Sequence, residues 1–273
     1  MQPQRSRRGP ISLLGNKFLD GAEYIGGMWL LLVQVLRWMT VGLVTRRAKF
    51  GWGALAAQMV RVGVNSVAIV VLVQFFVGVI LALQLAPQFG KFQMLQWLSY
   101  TIGYTVFREF GPLLSAVVLS GFAGASIAAE IGTMVVGEEI EALEVHAINP
   151  VRFLVVPRVL ATTVMLVCLC VVADLAAALG GYVASLAVLG PDAYQNWWSS
   201  MSEQLEYVDF FTGLLKAGVF GLCISLIACY EGLKVRGGAE GVGRATTMTV
   251  VYSIVSLIGV DCIFTAVFYA LKL

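Results

Sequence analysis

The sequence predicts an all-α membrane protein: an N-terminal amphipathic helix in the interface, five transmembrane helices, and a short helix in a cytoplasmic loop. Three observations carry this. Of 273 residues, 59% are hydrophobic and only 12% are charged, about half the charge of a soluble domain. Mean hydropathy is +0.86, so polar surface is too scarce to coat a water-soluble particle, and lipid must replace water as solvent. Finally, the charges that exist divide the chain into apolar stretches long enough to cross a bilayer, which takes about 20 residues each.

Five such stretches follow in order. The first runs from about Val62 to Leu85, between Arg61 and Lys91. The second runs from about Phe110 to Val136 with Glu130 near its end, and the apolar Trp97 to Phe107 segment extends it backwards past Arg108 and Glu109. The third, Phe153 to Val188, is interrupted by Asp174. The fourth, roughly Phe210 to Tyr230, carries Lys216, and the fifth, roughly Thr247 to Leu271, carries Asp261. Residues 62–273 thus carry the five spans, and residues 1–61 form an N-terminal region. In that region Leu14, Phe18, Ala22, Ile25, Trp29, Leu32, Leu36, Met39 and Leu43 recur at steps of three and four, the mark of one apolar helix face. Only 13 uncharged residues separate Glu23 from Arg37, short for a span. Arg37, Arg46, Arg47 and Lys49 suit anionic headgroups, so the segment reads as an interfacial helix; the alternative is a sixth span.

Orientation follows Lys and Arg in short loops. Half of the 18 basic residues, including Arg5, Arg7 and Arg8, fall at or before Arg61, which places the N-terminus in the cytoplasm. The segments Gly137 to Pro150 and Glu231 to Arg244 then face the cytoplasm. The segment Gly190 to Asp209, without Lys or Arg but with Trp197 and Trp198, faces outward, as does the C-terminus. The N-terminus lacks the build of a secretory signal, and it has no long Ser-rich transit region. The second point favours a bacterial inner membrane over a plastid envelope.

Four features carry functional readings. Gly121, Gly124, Ala125, Ala128, Ala129 and Gly132 permit close helix approach in lipid, either within the chain or at a dimer seam. Charges inside the spans are expensive. Of these, Arg108 and Lys216 balance Glu109 and Asp261, and all four fall in the outward half. They read as a polar cluster lining a cavity, with Glu109–Lys216 and Arg108–Asp261 as candidate pairings that sequence alone does not assign; the alternative is separate snorkelling residues. The acidic run Glu138, Glu139, Ile140, Glu141, Ala142, Leu143 is either a solvated face or a loop helix that docks a cytoplasmic partner. It ends at Asn149-Pro150, where proline forces a new start. The glycine-rich stretch from Gly237 to Thr246 reads as a flexible turn; it fits neither a Walker A loop nor a dinucleotide fingerprint. With no nucleotide motif in the chain, any ATP that drives it must be bound and hydrolysed by another chain.

Other chemistries find little support. The five cysteines lie in apolar segments with no paired spacing, which gives neither a disulfide framework nor a zinc site. His146 stands alone, so no metal site and no cofactor are expected. A net charge of +2 is too small to suggest nucleic acid.

Several ordered motifs resemble those of the MlaE permeases. They are Arg108-Glu109-Phe110-Gly111-Pro112, Ala129-Glu130-Ile131-Gly132-Thr133-Met134, Glu138 to Leu143, Asn149-Pro150, Pro157-Arg158 and Gly237 to Thr247. The resemblance implies the membrane subunit of an ABC transporter that moves phospholipids or related lipids between inner and outer membranes. It implies a second copy of the chain, a cytoplasmic ABC ATPase and a membrane-anchored MCE-domain protein as partners. It also implies that 138–143 is the coupling helix to the ATPase and that Arg108, Glu109, Lys216 and Asp261 lie near the lipid cavity. The chain departs from the family's usual pattern at Phe122, where arginine is common, and at Glu139, Glu141, His146 and Asn149. An ion-coupled transporter or channel is the alternative; the absence of inverted repeats speaks against it. A scaffold without transport is a third reading.

Overall fold

The computed structural model describes residues 10–44, 52–190 and 195–271. These residues are almost wholly helical, with no strand among them. Arg5, Arg7, Arg8, Arg46, Arg47 and Lys49, on which much of the orientation argument rests, lie outside the described residues. The chain separates into two units that divide between Lys49 and Phe50. The first contains α1 (Pro10–Val44), which is not among the helices apolar and long enough to cross a membrane. Its Ile25, Trp29 and Leu36, members of the predicted apolar stripe, are exposed.

The second unit holds α2 (Gly53–Lys91), α3 (Leu95–Val136), α5 (Val151–Val188), α7 (Tyr207–Leu233) and α8 (Gly238–Leu271), all five long and apolar enough to span a bilayer. Two short helices join them: α4 (Glu139–Val145) between α3 and α5, and α6 (Trp197–Gln204) before α7. Short connections make consecutive spans antiparallel, so the bundle has an α4 end and a far end. Helix α5 lies between α2 and α7, and α7 also packs on α3 and α8.

The spans are longer than the charge gaps predict, because charged residues near the ends remain helical. Helix α3 runs unbroken through Arg108 and Glu109. Helix α8 begins at Gly238, so most of the glycine-rich stretch is helix rather than a flexible turn. The turn itself is confined to Gly237 and Gly238, both at positive φ, a conformation glycine adopts without penalty. Trp197, predicted for the interface beside Trp198, is 1% exposed and packs under Tyr182 and Gly181. Only Trp198 of the two is left exposed.

Close packing of α2 on α5 rests on glycine. A Cβ at Gly78 would overlap the carbonyl of Ala177, and one at Gly180 would overlap the carbonyl of Phe75. The backbones therefore meet directly, the contact that lets helices associate without a hydrophobic driving force. The predicted small-residue stripe on α3 is mostly internal: Gly124 packs on Ile224, Gly132 on Val235, and Gly121 faces open space. An apolar core of Ala116, Leu119, Leu166, Phe220, Ile224 and Leu257 fills the middle of the bundle.

Candidate functional site

Among the described residues, three π-helical turns lie within the spans, at Val60–Val64, Val106–Phe110 and Ser120–Gly124, and two more, Val151–Val155 and Ser185–Leu189, lie at the ends of α5. Such a turn inserts one extra residue, shifts the phase of the helix and often marks a functional site. The first holds Arg61 and the second holds Arg108 and Glu109, members of two charge networks at opposite ends of the bundle.

The network toward the far end is built on α3, α7 and α8. Arg108 and Glu109 sit in the second π turn and serve different partners. Glu109 Oε2 accepts from Lys216 Nζ at 2.6 Å, and Asp261 Oδ1 accepts from the same nitrogen at 2.9 Å. Thr265 Oγ1 accepts from it at 3.2 Å and donates to Glu109 Oε1 at 3.1 Å. An ammonium has three donors, and all three are engaged. The Lys216 side chain is 0% exposed, against 30% for Glu109 and 15% for Asp261. The ring of Phe268 closes the site 5.8 Å from Nζ.

Arg108 turns instead to the start of α7, where Nη1 donates to Asp209 Oδ1 at 2.9 Å. Its guanidinium lies 5.4 Å from the Tyr104 ring and 5.8 Å from Phe268. Asp209 Oδ2 accepts the backbone N–H of Glu206 at 3.3 Å, which completes a capping box on α7.

The four predicted residues Arg108, Glu109, Lys216 and Asp261 thus fall in one region, with one pairing corrected. Glu109 pairs with Lys216, but Asp261 joins that same lysine, and Arg108 binds Asp209. Asp209 escaped the sequence reading because it lies beyond the apolar stretch that begins at Phe210. Its place three residues after Glu206, in capping-box register, was the available signal. Lys216 is enclosed by its own partners; the groups of this ring that reach the surface are carboxylates.

Asp174 of α5 joins neither network. It is buried, its Oδ1 has no partner, and Cys170 Sγ lies 3.7 Å from Oδ2. Nearby, Gln74 Nε2 donates to the carbonyls of Phe110 (3.0 Å) and Gly111 (3.3 Å), bracing α2 against the segment that Pro112 interrupts.

The network toward the α4 end was not foreseen. Glu130 of α3 accepts from Arg61 of α2 at 2.8 Å and from Arg158 of α5 at 3.0 Å. Each of the three was visible in the sequence, two at the edges of their apolar stretches, but nothing there showed them converging.

Helix α4 covers Glu139–Val145, with Glu138 as N-cap at φ 57°. Of the predicted segment Glu138 to Leu143, Glu138, Glu139, Glu141 and Ala142 are exposed, while Ile140 and Leu143 are half-buried. The exposed large apolar residue of the helix is Val145, 84% accessible, just past the predicted segment.

Comparison with known proteins places this architecture. The family model Permease MlaE matches residues 55–267. A probable ABC transporter permease protein of Rickettsia felis is 37% identical over 212 residues, 78% of this chain and 82% of that one. The intermembrane phospholipid transport system permease protein MlaE of Haemophilus influenzae is 30% identical over 260 residues, 95% of this chain and 97% of the relative. The chloroplastic protein TRIGALACTOSYLDIACYLGLYCEROL 1 of Arabidopsis thaliana is 30% identical over 223 residues, 82% of this chain and 63% of the plant protein. With the family model spanning all five apolar helices nearly end to end, the chain belongs to the MlaE permease family.

Proposed function

We propose that this chain is the permease subunit of an ABC transporter that moves phospholipids between the inner and outer membranes. The observation that carries it is the Lys216 ring. Its three helices bring Glu109, Asp261 and Thr265 to an edge of the bundle within the span, and the adjoining α8 leaves Val251, Val255 and Ile258 exposed. A polar group beside apolar helix faces is what a lipid headgroup and its acyl chains require together. The names of the bacterial relatives support the same substrate and transporter class.

The remaining parts follow from this reading. Helix α4 docks a separate ATPase chain that binds and hydrolyses the ATP. Its end of the bundle faces the cytoplasm, the far end faces outward toward an MCE-domain protein, and the membrane is the bacterial inner membrane. A second copy of the chain packs on the thinly covered α8. An ion path would need polar groups in file through the bundle; the apolar core between the two charge networks weighs against it.

Purification from native membranes in mild detergent, followed by mass spectrometry, tests the proposal. An ATPase, an MCE-domain protein and phospholipid are expected with the permease. Recovery of the chain with none of them would overturn the assignment.

A further inference from the structure

The charge network toward the α4 end lies about 30 Å along α3 from Arg108, at the helical rise per residue. Two guanidiniums meet one carboxylate there, so the triad of Arg61, Glu130 and Arg158 carries an excess positive charge. The two arginines are not equivalent. Arg158 is buried, and its Nη1 is spent on the carbonyl of Leu154 at 2.8 Å. Arg61 is 48% exposed. Its Nη1 donates to Glu130 and its Nη2 to Ser126 Oγ at 3.1 Å. A guanidinium has five donors, so Arg61 has donors left over.

Arg61 also borders a cavity of about 70 Å³, shared with Gln58, Asn65, Phe122 and Ser126. That is several times what a single water needs. The Gln58 Oε1 is buried without a partner, so this amide is not locked in a network of its own. Two π turns form the walls: Val60–Val64 contributes Arg61, and Ser120–Gly124 contributes Phe122. Around the cavity, Val60, Val64 and Phe122 expose apolar surface.

We infer that this cavity is a second headgroup site, where Arg61 binds the phosphate of a membrane phospholipid whose acyl chains lie against Val60, Val64 and Phe122. The chemistry is that of a phosphate diester: planar donors in surplus and net positive charge, with the amide N–H groups of Gln58 and Asn65 as the further donors. The Lys216 network at the other end presents carboxylates. The two stations therefore differ in sign, and a lipid that crosses the bundle exchanges a phosphate-binding site for a carboxylate-lined one. This inference rests on the phospholipid-transport proposal above.

Photo-crosslinking separates the two claims. A benzophenone side chain is placed at Phe122, beside the cavity, or at Tyr104, beside Arg108, in the full-length chain. The chain is reconstituted in nanodiscs of phosphatidylethanolamine and phosphatidylglycerol, and adducts are identified by mass spectrometry. Lipid adducts are expected at both positions. Arg61→Gln should cut the Phe122 adduct about tenfold, the scale of one lost charge-assisted hydrogen bond, and leave the Tyr104 adduct unchanged. Arg61→Lys, which keeps the charge, should restore part of it. Glu130 keeps Arg158 in both variants, so the bundle should remain folded, and the Tyr104 adduct reports that directly. A Phe122 adduct indifferent to Arg61→Gln would mean contact with acyl chains alone and would overturn the site. So would its absence beside a normal Tyr104 adduct. Competition by inorganic phosphate in detergent, with no lipid adduct at Phe122, would assign the cavity to free phosphate instead. Loss of lipid adducts at both positions in the otherwise native chain would remove the transport proposal along with it.

Discussion

Asp209 binds Arg108 with one carboxylate oxygen, at 2.9 Å, and caps the first turn of α7 with the other. The pair is nearly enclosed, and it ties the π turn of α3 to the start of α7. Removing one member of a buried pair leaves the other charge uncompensated, at about 3–5 kcal/mol; loss of a helix cap adds about 1 kcal/mol. Asp209→Ala should therefore destabilise the protein more than Arg108→Gln. The double variant should be more stable than Asp209→Ala alone. Thermal unfolding in detergent measures the order; equal midpoints for the two single variants would show that the cap contributes nothing.

Lys216 is held by two carboxylates and a threonine hydroxyl, so its three partners are unequal in their dependence on it. Lys216→Met should be the most damaging change in the network, because Glu109 and Asp261 are left facing each other without a cation. Glu109→Gln and Asp261→Asn each leave the lysine one carboxylate and should be milder. A double-mutant cycle between Lys216 and Asp261 should give a coupling of about 0.5–3 kcal/mol, the range for residues in one network. Additive effects in stability would rule out the bridge.

Much of this fold was legible in the sequence, because lipid forces hydrophobicity and length into register with helical spans. The number of spans follows from the gaps between charges. The ends do not: Arg61, Arg108 and Glu109 lie within helices because each finds a partner on a neighbour, and partners on other helices are invisible to a linear scan. The same limit explains the mistaken pairing of Arg108 with Asp261. Balancing charges within the apolar stretches leaves out Asp209, and it leaves out the possibility that one lysine takes two carboxylates. The Arg61–Glu130–Arg158 convergence needs the packing of α2, α3 and α5 to be known first. The acidic segment was legible as a helix, yet its exposed large apolar residue, Val145, lies past the end of the acidic run and stands out only once the helix bounds are known.

The α4 surface gives a graded test of coupling to an ATPase chain. Glu139 and Glu141 are exposed, and Val145 is the most accessible apolar side chain of the helix. None of the three supports the bundle, so substitution should leave folding intact. Glu139→Lys with Glu141→Lys should reduce lipid-dependent ATP hydrolysis in the reconstituted complex severalfold. Val145→Asp should weaken copurification of the ATPase by about tenfold, the scale of one buried apolar anchor lost from an interface. Unchanged hydrolysis in all three substitutions together would place the ATPase contact elsewhere on the chain.

The α2–α5 contact makes the sharpest packing prediction. Gly78 meets the carbonyl of Ala177, and about one turn further along α5 Gly180 meets the carbonyl of Phe75. These are backbone-to-backbone contacts, so no side chain can move aside to admit a methyl group. Gly180→Ala and Gly78→Ala should each push the helices apart. Overpacking of this kind costs about 1–3 kcal/mol, and the two sites lie on one interface, so their costs should not add. Gly121→Ala, by contrast, meets open space and should be neutral for the isolated chain, although it belongs to the more conspicuous small-residue stripe. Thermal unfolding of the three variants in detergent ranks them directly. If Gly180→Ala and Gly78→Ala prove as neutral as Gly121→Ala while the chain is monomeric, the helix packing described for α2 and α5 is wrong. If Gly121→Ala becomes damaging only when the chain is dimeric, the stripe on α3 contributes to the seam between two copies.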